Sequence, residues 1–200
     1  MFAHLASATL QGVRLAAVSA CLALLLSGAA FATPAPRSVF HVGDSLAYGT
    51  SLYLSQYLEG WRITEEVDVS MQSYSVPRLV AAQGAGLARV VIVSAGTNGS
   101  PAAISQFKAD VRRVLRLAGP GRCVIWANIV RPPYQGVSYA GLNRALADLD
   151  RRYRTLVVFD WAGMVRRNPG ALADDGVHVA VPFYRKRAQA LATLARRCVR

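Results

Sequence analysis

The sequence predicts an α/β domain built on a five-stranded, mostly parallel sheet with helices on both faces. Three observations predict it. Five short runs rich in β-branched residues recur after residue 37, and amphipathic helical patterns separate them. The strongest run, Arg89-Val90-Val91-Ile92-Val93-Ser94, is continuously apolar at its centre, as befits a strand buried on both faces. Strands and helices that alternate in this way argue for parallel strands joined by helical crossovers. In such a sheet, functional groups gather at the carboxyl ends of the strands.

The first 32 residues stand apart from this pattern. His4 and Arg14 give a weakly basic start, and an almost wholly apolar run from Leu15 to Ala32 ends in the small-x-small pattern Ala30-Phe31-Ala32. The segment reads as a secretory signal peptide cleaved near Ala32. The competing reading is a retained membrane anchor, because the run is nearly long enough to span a bilayer. Cys21 makes a poor lipidation site, since the apolar run continues well beyond it. Residues 33–37 form a short Pro-rich linker, and residues 38–200 form one domain large enough for a full core. Localisation is therefore expected to be secreted or periplasmic.

Within the domain, Val39–Val42 is the first strand and runs into Gly43-Asp44-Ser45-Leu46, where Ser45 is either the N-cap of a helix or a nucleophile at the strand's end. Arg62–Val69 is the second strand and Arg89–Ser94 the third. Ser100-Pro101 caps a helix whose inward face is Ile104, Phe107, Val111, Val114 and Ala118, and Gly119-Pro120 stops it. Cys123–Ile129 is the fourth strand. Ser138 caps the next helix, with Leu142, Leu146 and Leu149 facing inward, and Thr155–Phe159 is the fifth strand. An amphipathic helix over Arg185–Arg197 closes the domain. It should run antiparallel to the strands, which brings Cys198 at its end beside Cys123 at the start of strand four, at the edge away from the chemistry. A disulfide between them is expected in an oxidising compartment.

The chain of 200 residues carries a net charge of +12, and arginine supplies nearly all of the positive charge. Loss of the leader removes one arginine and no acid, which leaves +11. Such a charge suits an anionic envelope surface. The arginines read as scattered over helix faces with no single dense tract, and no aromatic-plus-basic motif points to nucleic acid. The two histidines beyond the leader and the scattered acids form no metal-ligand cluster, so neither metal nor other cofactor is expected.

Three places carry chemistry. Ser45 follows a strand and a glycine, so its hydroxyl can stand at the top edge of the sheet near a helix N-terminus that favours a developing oxyanion. Asn98, in Ser94-Ala95-Gly96-Thr97-Asn98-Gly99, can present an uncharged amide N–H at the end of the strongest strand; alone it would read as a turn residue. His178 lies in a loop before the last helix, with Asp175 three residues upstream and Asp174 as the adjacent alternative orienting carboxylate. His41, inside the first strand, reads as a packing residue. Serine, asparagine and Asp-x-x-His converge on one edge of a parallel sheet, the arrangement of nucleophile, base, orienter and anion stabiliser. Arg131 and Tyr134, in Arg131-Pro132-Pro133-Tyr134 after strand four, should border the cleft and could contact substrate.

Gly43-Asp44-Ser45-Leu46, Gly96-Thr97-Asn98 and Asp175-Gly176-Val177-His178 together resemble the three blocks of the SGNH hydrolases, also called the GDSL esterase family. The resemblance implies a flavodoxin-like three-layer α/β/α sandwich. It also implies Ser45, His178 and Asp175 as nucleophile, base and orienter, with Asn98 and the Ser45 backbone N–H in the oxyanion hole. The segment from Val157 to His178 is similar to SGNH domains of acyltransferases that O-acetylate envelope glycans. This implies an acylated glycan or small ester as substrate and a free-standing esterase or transferase as the activity. One departure stands out. The family has a glycine after its second strand whose N–H completes the oxyanion hole, whereas this chain has none between Gly60 and Gly84, and Gln72, beside Ser73, occupies the place. A lipase or lysophospholipase, and a catalytically impaired envelope-binding domain, remain as alternatives.

Overall fold

The computed structural model describes residues 37–199. The expected leader, Cys21 and linker residues 33–36 lie outside the described residues. Five strands, β1 (Ser38–Gly43), β2 (Arg62–Val67), β3 (Val90–Ser94), β4 (Cys123–Ala127) and β5 (Leu156–Phe159), form one sheet in the order β2-β1-β3-β4-β5. Every neighbouring pair is parallel. Helices α1 (Ser45–Tyr57) and α6 (Val181–Arg197) cover one face, with α5 (Trp161–Arg166) beside them; α2 (Val76–Ala82), α3 (Ile104–Ala118) and α4 (Ala140–Asp150) cover the other. The expected three-layer sandwich is thus the observed one.

The continuous apolar run explains the layering. Side chains alternate across a strand, so Val90 and Ile92 enter the core under α1 and α6, while Val91 and Val93 enter the core under α3 and α4. All four are fully buried, each worth about 1.5–3 kcal/mol relative to exposure. Trp126 of β4 packs edge-on against Phe107 of α3 and donates its indole N–H to Ala95 O at 3.0 Å, which fixes the chain just beyond β3.

The strands stop where their tops turn toward the site. β2 ends at Val67 rather than Val69: Asp68 N–H makes the last bond across to Gly43 O, and the Asp68 carboxylate then takes up Ser70 N–H in a tight turn. β4 ends two residues before Ile129, whose N–H and C=O are both taken by the Asn143 side-chain amide. Ser100 opens a turn rather than the helix itself: its Oγ accepts from Ala102 N–H, and α3 starts only at Ile104. α6 begins a turn earlier than its amphipathic pattern suggested, with a proline in its first turn. Cys123 and Cys198 are joined by a disulfide with Cα atoms 5.8 Å apart, which pins the end of α6 to the start of β4.

Candidate active site

The carboxyl ends of β1 and β3 approach closely because residue 43 is glycine. A Cβ there would lie 2.1 Å from Ser94 O, and its absence lets Asp44 N–H donate to that carbonyl at 2.8 Å. Asp44, not Ser45, is the N-cap: its Oδ1 accepts from Leu46 N–H at 3.0 Å. This corrects the reading of Ser45 as a cap and leaves its hydroxyl uncommitted to the helix. As the first residue of α1, Ser45 has a backbone N–H with no partner within the helix, set at the positive end of the helix dipole.

The Ser45 hydroxyl meets the loop that precedes α6. Ser45 Oγ lies 2.7 Å from His178 Nε2, and His178 Nδ1 lies 2.5 Å from Asp175 Oδ2. The loop is folded by its own backbone. Ala173 N–H bonds to His178 O, and Asp175 Oδ1 takes both the Val177 and His178 N–H groups at 2.9 Å. At the tip, Gly176 has φ +68, and a Cβ there would press within 2.7 Å of Pro132. The imidazole bond and the two backbone donors hold the Asp175 carboxyl down at about 2, so it is an anion at any ordinary pH. An acceptor-only carboxylate fixes the proton on Nδ1 and leaves the Nε2 lone pair facing the serine. Of the two candidate orienting carboxylates, Asp175 is the one that faces the ring.

Asn98 borders the same cleft, of about 580 Å³, together with Ser45, Val69, Arg131, Tyr134 and His178. Its amide nitrogen donates to Val69 O at 3.1 Å and to Met71 O at 3.3 Å. Arg131 Nη1 donates to Thr97 O at 2.6 Å and to Asn98 Oδ1 at 3.3 Å, so the guanidinium sets which way the amide points. Tyr134 stands half exposed at the rim, in a small turn closed by paired backbone bonds with Val137. Gln72 does not line this cleft. It borders two neighbouring hollows, and the loop residue that reaches the cleft is Val69. The physical reason is the Asp68 turn, which spends residues 68–71 on the approach to the site before Gln72 opens a short 3-10 turn.

Beneath the serine lies a group that the motifs did not suggest. Arg187 of α6 is fully buried; Nε donates to Thr50 Oγ1 at 3.1 Å and Nη2 to Ser94 Oγ at 2.6 Å, and the guanidinium rests 4.7 Å from the Trp161 ring centre. It thereby ties α6, which follows His178, to α1, which carries Ser45, and to the end of β3, which precedes Asn98. Burial pulls its pKa down to about 10, so it stays cationic. Burial pushes the nearby Asp44 carboxyl up to about 6 against the opposing pull of Arg187. The signal was present in sequence as an i, i+4 row, Arg187, Leu191 and Ala195, all buried. His41 is buried in β1 with Nδ1 3.1 Å from Glu65, and burial lowers its pKa. Among the described residues no group of three or more His, Cys, Asp or Glu converges to hold a metal ion.

No family model and no curated protein sequence matches the chain. Solved structures do. The C-terminal catalytic domain of Streptococcus pneumoniae peptidoglycan O-acetyltransferase A, solved with a methylsulfonyl adduct, gives a TM-score of 0.64 at 18% identity, covering 84% of this chain and 94% of that one. TesA gives 0.65 at 20% identity, covering 82% and 99%. A GDSL-like lipase from Bacteroides thetaiotaomicron gives 0.62 at 15% identity, covering 80% and 88%. The chain has the fold of the SGNH/GDSL esterases and lipases.

Proposed function

We propose that this protein is an exported serine esterase or acyl transferase acting on short acyl esters, with O-acetyl groups of envelope polysaccharide as its substrate class. One observation carries the reading: the unbroken hydrogen-bonded line from Asp175 through His178 to Ser45, standing at the N-terminus of α1. Export rests on the apolar leader of the sequence. The substrate class is supported by the likeness to a peptidoglycan O-acetyltransferase domain and by a cleft walled with Arg131, Pro132 and Tyr134 rather than a long apolar groove.

In this reading Ser45 Oγ attacks the ester carbonyl while His178 Nε2 takes its proton. Asp175 holds the Nδ1 proton and stabilises the imidazolium as it forms. The tetrahedral oxyanion accepts from the Ser45 N–H and from Asn98. The Asn98 amide nitrogen donates to Val69 O and Met71 O in the free enzyme, and the charged acceptor displaces the weaker, 3.3 Å bond to Met71 O. Collapse of the intermediate breaks the ester C–O bond, and His178 returns its proton to the leaving alcohol. Water, or a glycan hydroxyl, then attacks the acyl-serine by the same route in reverse.

The test is hydrolysis of p-nitrophenyl esters of graded chain length by the wild type, Ser45→Ala and His178→Ala, followed by acetate release from isolated cell wall. Acetate should be the preferred acyl group, and both variants should lose nearly all activity. Preference for long chains would replace this reading by a lipase. A folded wild type with no hydrolysis or transfer would leave an envelope-binding domain, and equal rates in wild type and Ser45→Ala would remove Ser45 as nucleophile.

A further inference from the structure

Some arginines are spread over helix faces as expected, among them Arg78, Arg144 and Arg166, but ten are not. Arg37 precedes β1, Arg62 opens β2, Arg89 precedes β3, Arg122 precedes β4, and Arg154 stands two residues before β5. Because every strand is parallel, all five lie at one end of the sheet, the end opposite the Ser45–His178 cleft. The helices that return to this end add five more, among them Arg116 in the last turn of α3, Arg152 just after α4 and Arg197 in the last turn of α6. Acids follow the opposite rule. Asp44, Asp68 and Asp160 each stand immediately after a strand, and Asp174 and Asp175 lie in the cleft loop. Only Glu59, Asp148 and Asp150 accompany the ten arginines at the basal end, and Asp148 is already paired with Arg151.

A local explanation accounts for part of this. Helix C-termini carry roughly half a negative charge each, which favours nearby cations, and Arg122 donates to Ala118 O at the end of α3. Those partial charges are small beside ten arginines. Arg89, Arg154 and Arg197 have exposed side chains with no hydrogen-bond or ion-pair partner among the described residues.

We propose that this basal end is a docking face for an anionic lipid bilayer, held by arginine–phosphate contacts. Its layout favours a plane over a polymer strand. Five strand starts at the usual spacing span about 19 Å, and the helix ends extend the array into both flanking layers. A thread-like polyanion would call for a line or a groove. Exposed apolar groups are interspersed as well: Leu117 beside Arg116 is 40% exposed, and Tyr153 between Arg152 and Arg154 is 36% exposed, as suits a headgroup boundary. A hollow of about 460 Å³ lies between Arg122, Arg154 and Arg197. Arg122 is engaged with Leu87 O and Ala118 O, and the guanidinium forks of Arg154 and Arg197, unpaired among the described residues, are open to a phosphate. Docked in this way, the protein turns its cleft away from the bilayer. The basal face is thus separate from whatever binds at Ser45, and the inference does not depend on the proposed chemistry.

The test compares two triple variants of equal net charge: Arg89→Gln/Arg154→Gln/Arg197→Gln at the basal end, and Arg78→Gln/Arg144→Gln/Arg166→Gln elsewhere. Thermal melting checks that both fold like the wild type. Binding is measured by co-sedimentation with vesicles of equal parts phosphatidylglycerol and phosphatidylcholine, and with phosphatidylcholine alone. All three proteins carry the same residues 1–36, so any contribution of that segment is common to them. With each surface arginine worth about 1 kcal/mol at an anionic membrane, the basal variant should lose about a hundredfold in partitioning onto the anionic vesicles, and the control only a few-fold. Equal loss in both variants, or no preference of the wild type for anionic vesicles, would overturn the proposal. Basal-dependent binding to soluble polyphosphate without binding to vesicles would also overturn it, in favour of a polymer partner.

Discussion

Among single residues, the meeting of Ser45, His178 and Asp175 was legible because their types and order follow a pattern that the proposed chemistry would need. Asn98 was legible only as a member of the set, since alone it reads as a turn. Arg131 shows the limit of such reading. Its place after β4 brings it to the cleft, yet the structure engages it with Thr97 O and Asn98 Oδ1, which makes it a positioning residue for the amide. Gln72 lies beside the cleft rather than in it, because chain spacing does not disclose the turn that Asp68 builds. If Asn98 supplies an oxyanion donor, Asn98→Ala should lower kcat by about 10²–10³ with little change in KM. Arg131→Ala should lower kcat by a smaller factor, because the amide remains but is no longer oriented. The effect should vanish in the Asn98→Ala background. Steady-state kinetics on a soluble acetate ester would check both, and additive losses would contradict the positioning role.

Elements were legible in proportion to their length and burial. The runs around Val91 and Ile125 are apolar on both faces because both faces are covered. α3 spans four turns, so its inward stripe of Phe107, Val111, Val114 and Ala118 is plain in sequence, whereas Ile104, expected on the same face, is exposed at the first turn. α2 and α5, of seven and six residues, are too short for a helical period to emerge. The Arg187 link among α1, β3 and α6 escaped because a buried arginine in Tyr184-Arg185-Lys186-Arg187 looks like its exposed neighbours. Asp44, buried nearby at the α1 N-terminus and under the pull of the Arg187 charge, gives a pH signature. The Asp44 pKa is raised in the folded protein, to about 6, above the unfolded value near 3.9. Its contribution to stability is therefore fully present below about pH 4 and is lost as pH rises through about 6, on the order of a few kcal/mol. Urea unfolding of the wild type against Asp44→Asn should show the gap shifting toward the variant across that window. A pH-independent difference between the two would count against a strained carboxylate beneath Ser45.

For the whole molecule, parallel topology converts a one-dimensional pattern into two ends of opposite character. Strand carboxyl ends collect Ser45, Asn98 and five of the eleven acids; strand beginnings collect arginines. Each arginine looks unremarkable in sequence because its fellows lie some 25–35 positions away, and only the sheet gathers them. The same gathering makes the site, since Ser45 and His178 are 133 residues apart. If Ser45 is an activated nucleophile, covalent trapping detects it most directly. Incubation of the folded protein with a reactive alkyl fluorophosphonate, followed by mass spectrometry of the intact chain and its peptides, should show one adduct, on the peptide carrying Ser45. Labelling should be absent in Ser45→Ala and slowed by orders of magnitude in His178→Ala. An unlabelled wild type, or equal labelling in Ser45→Ala, would contradict the account.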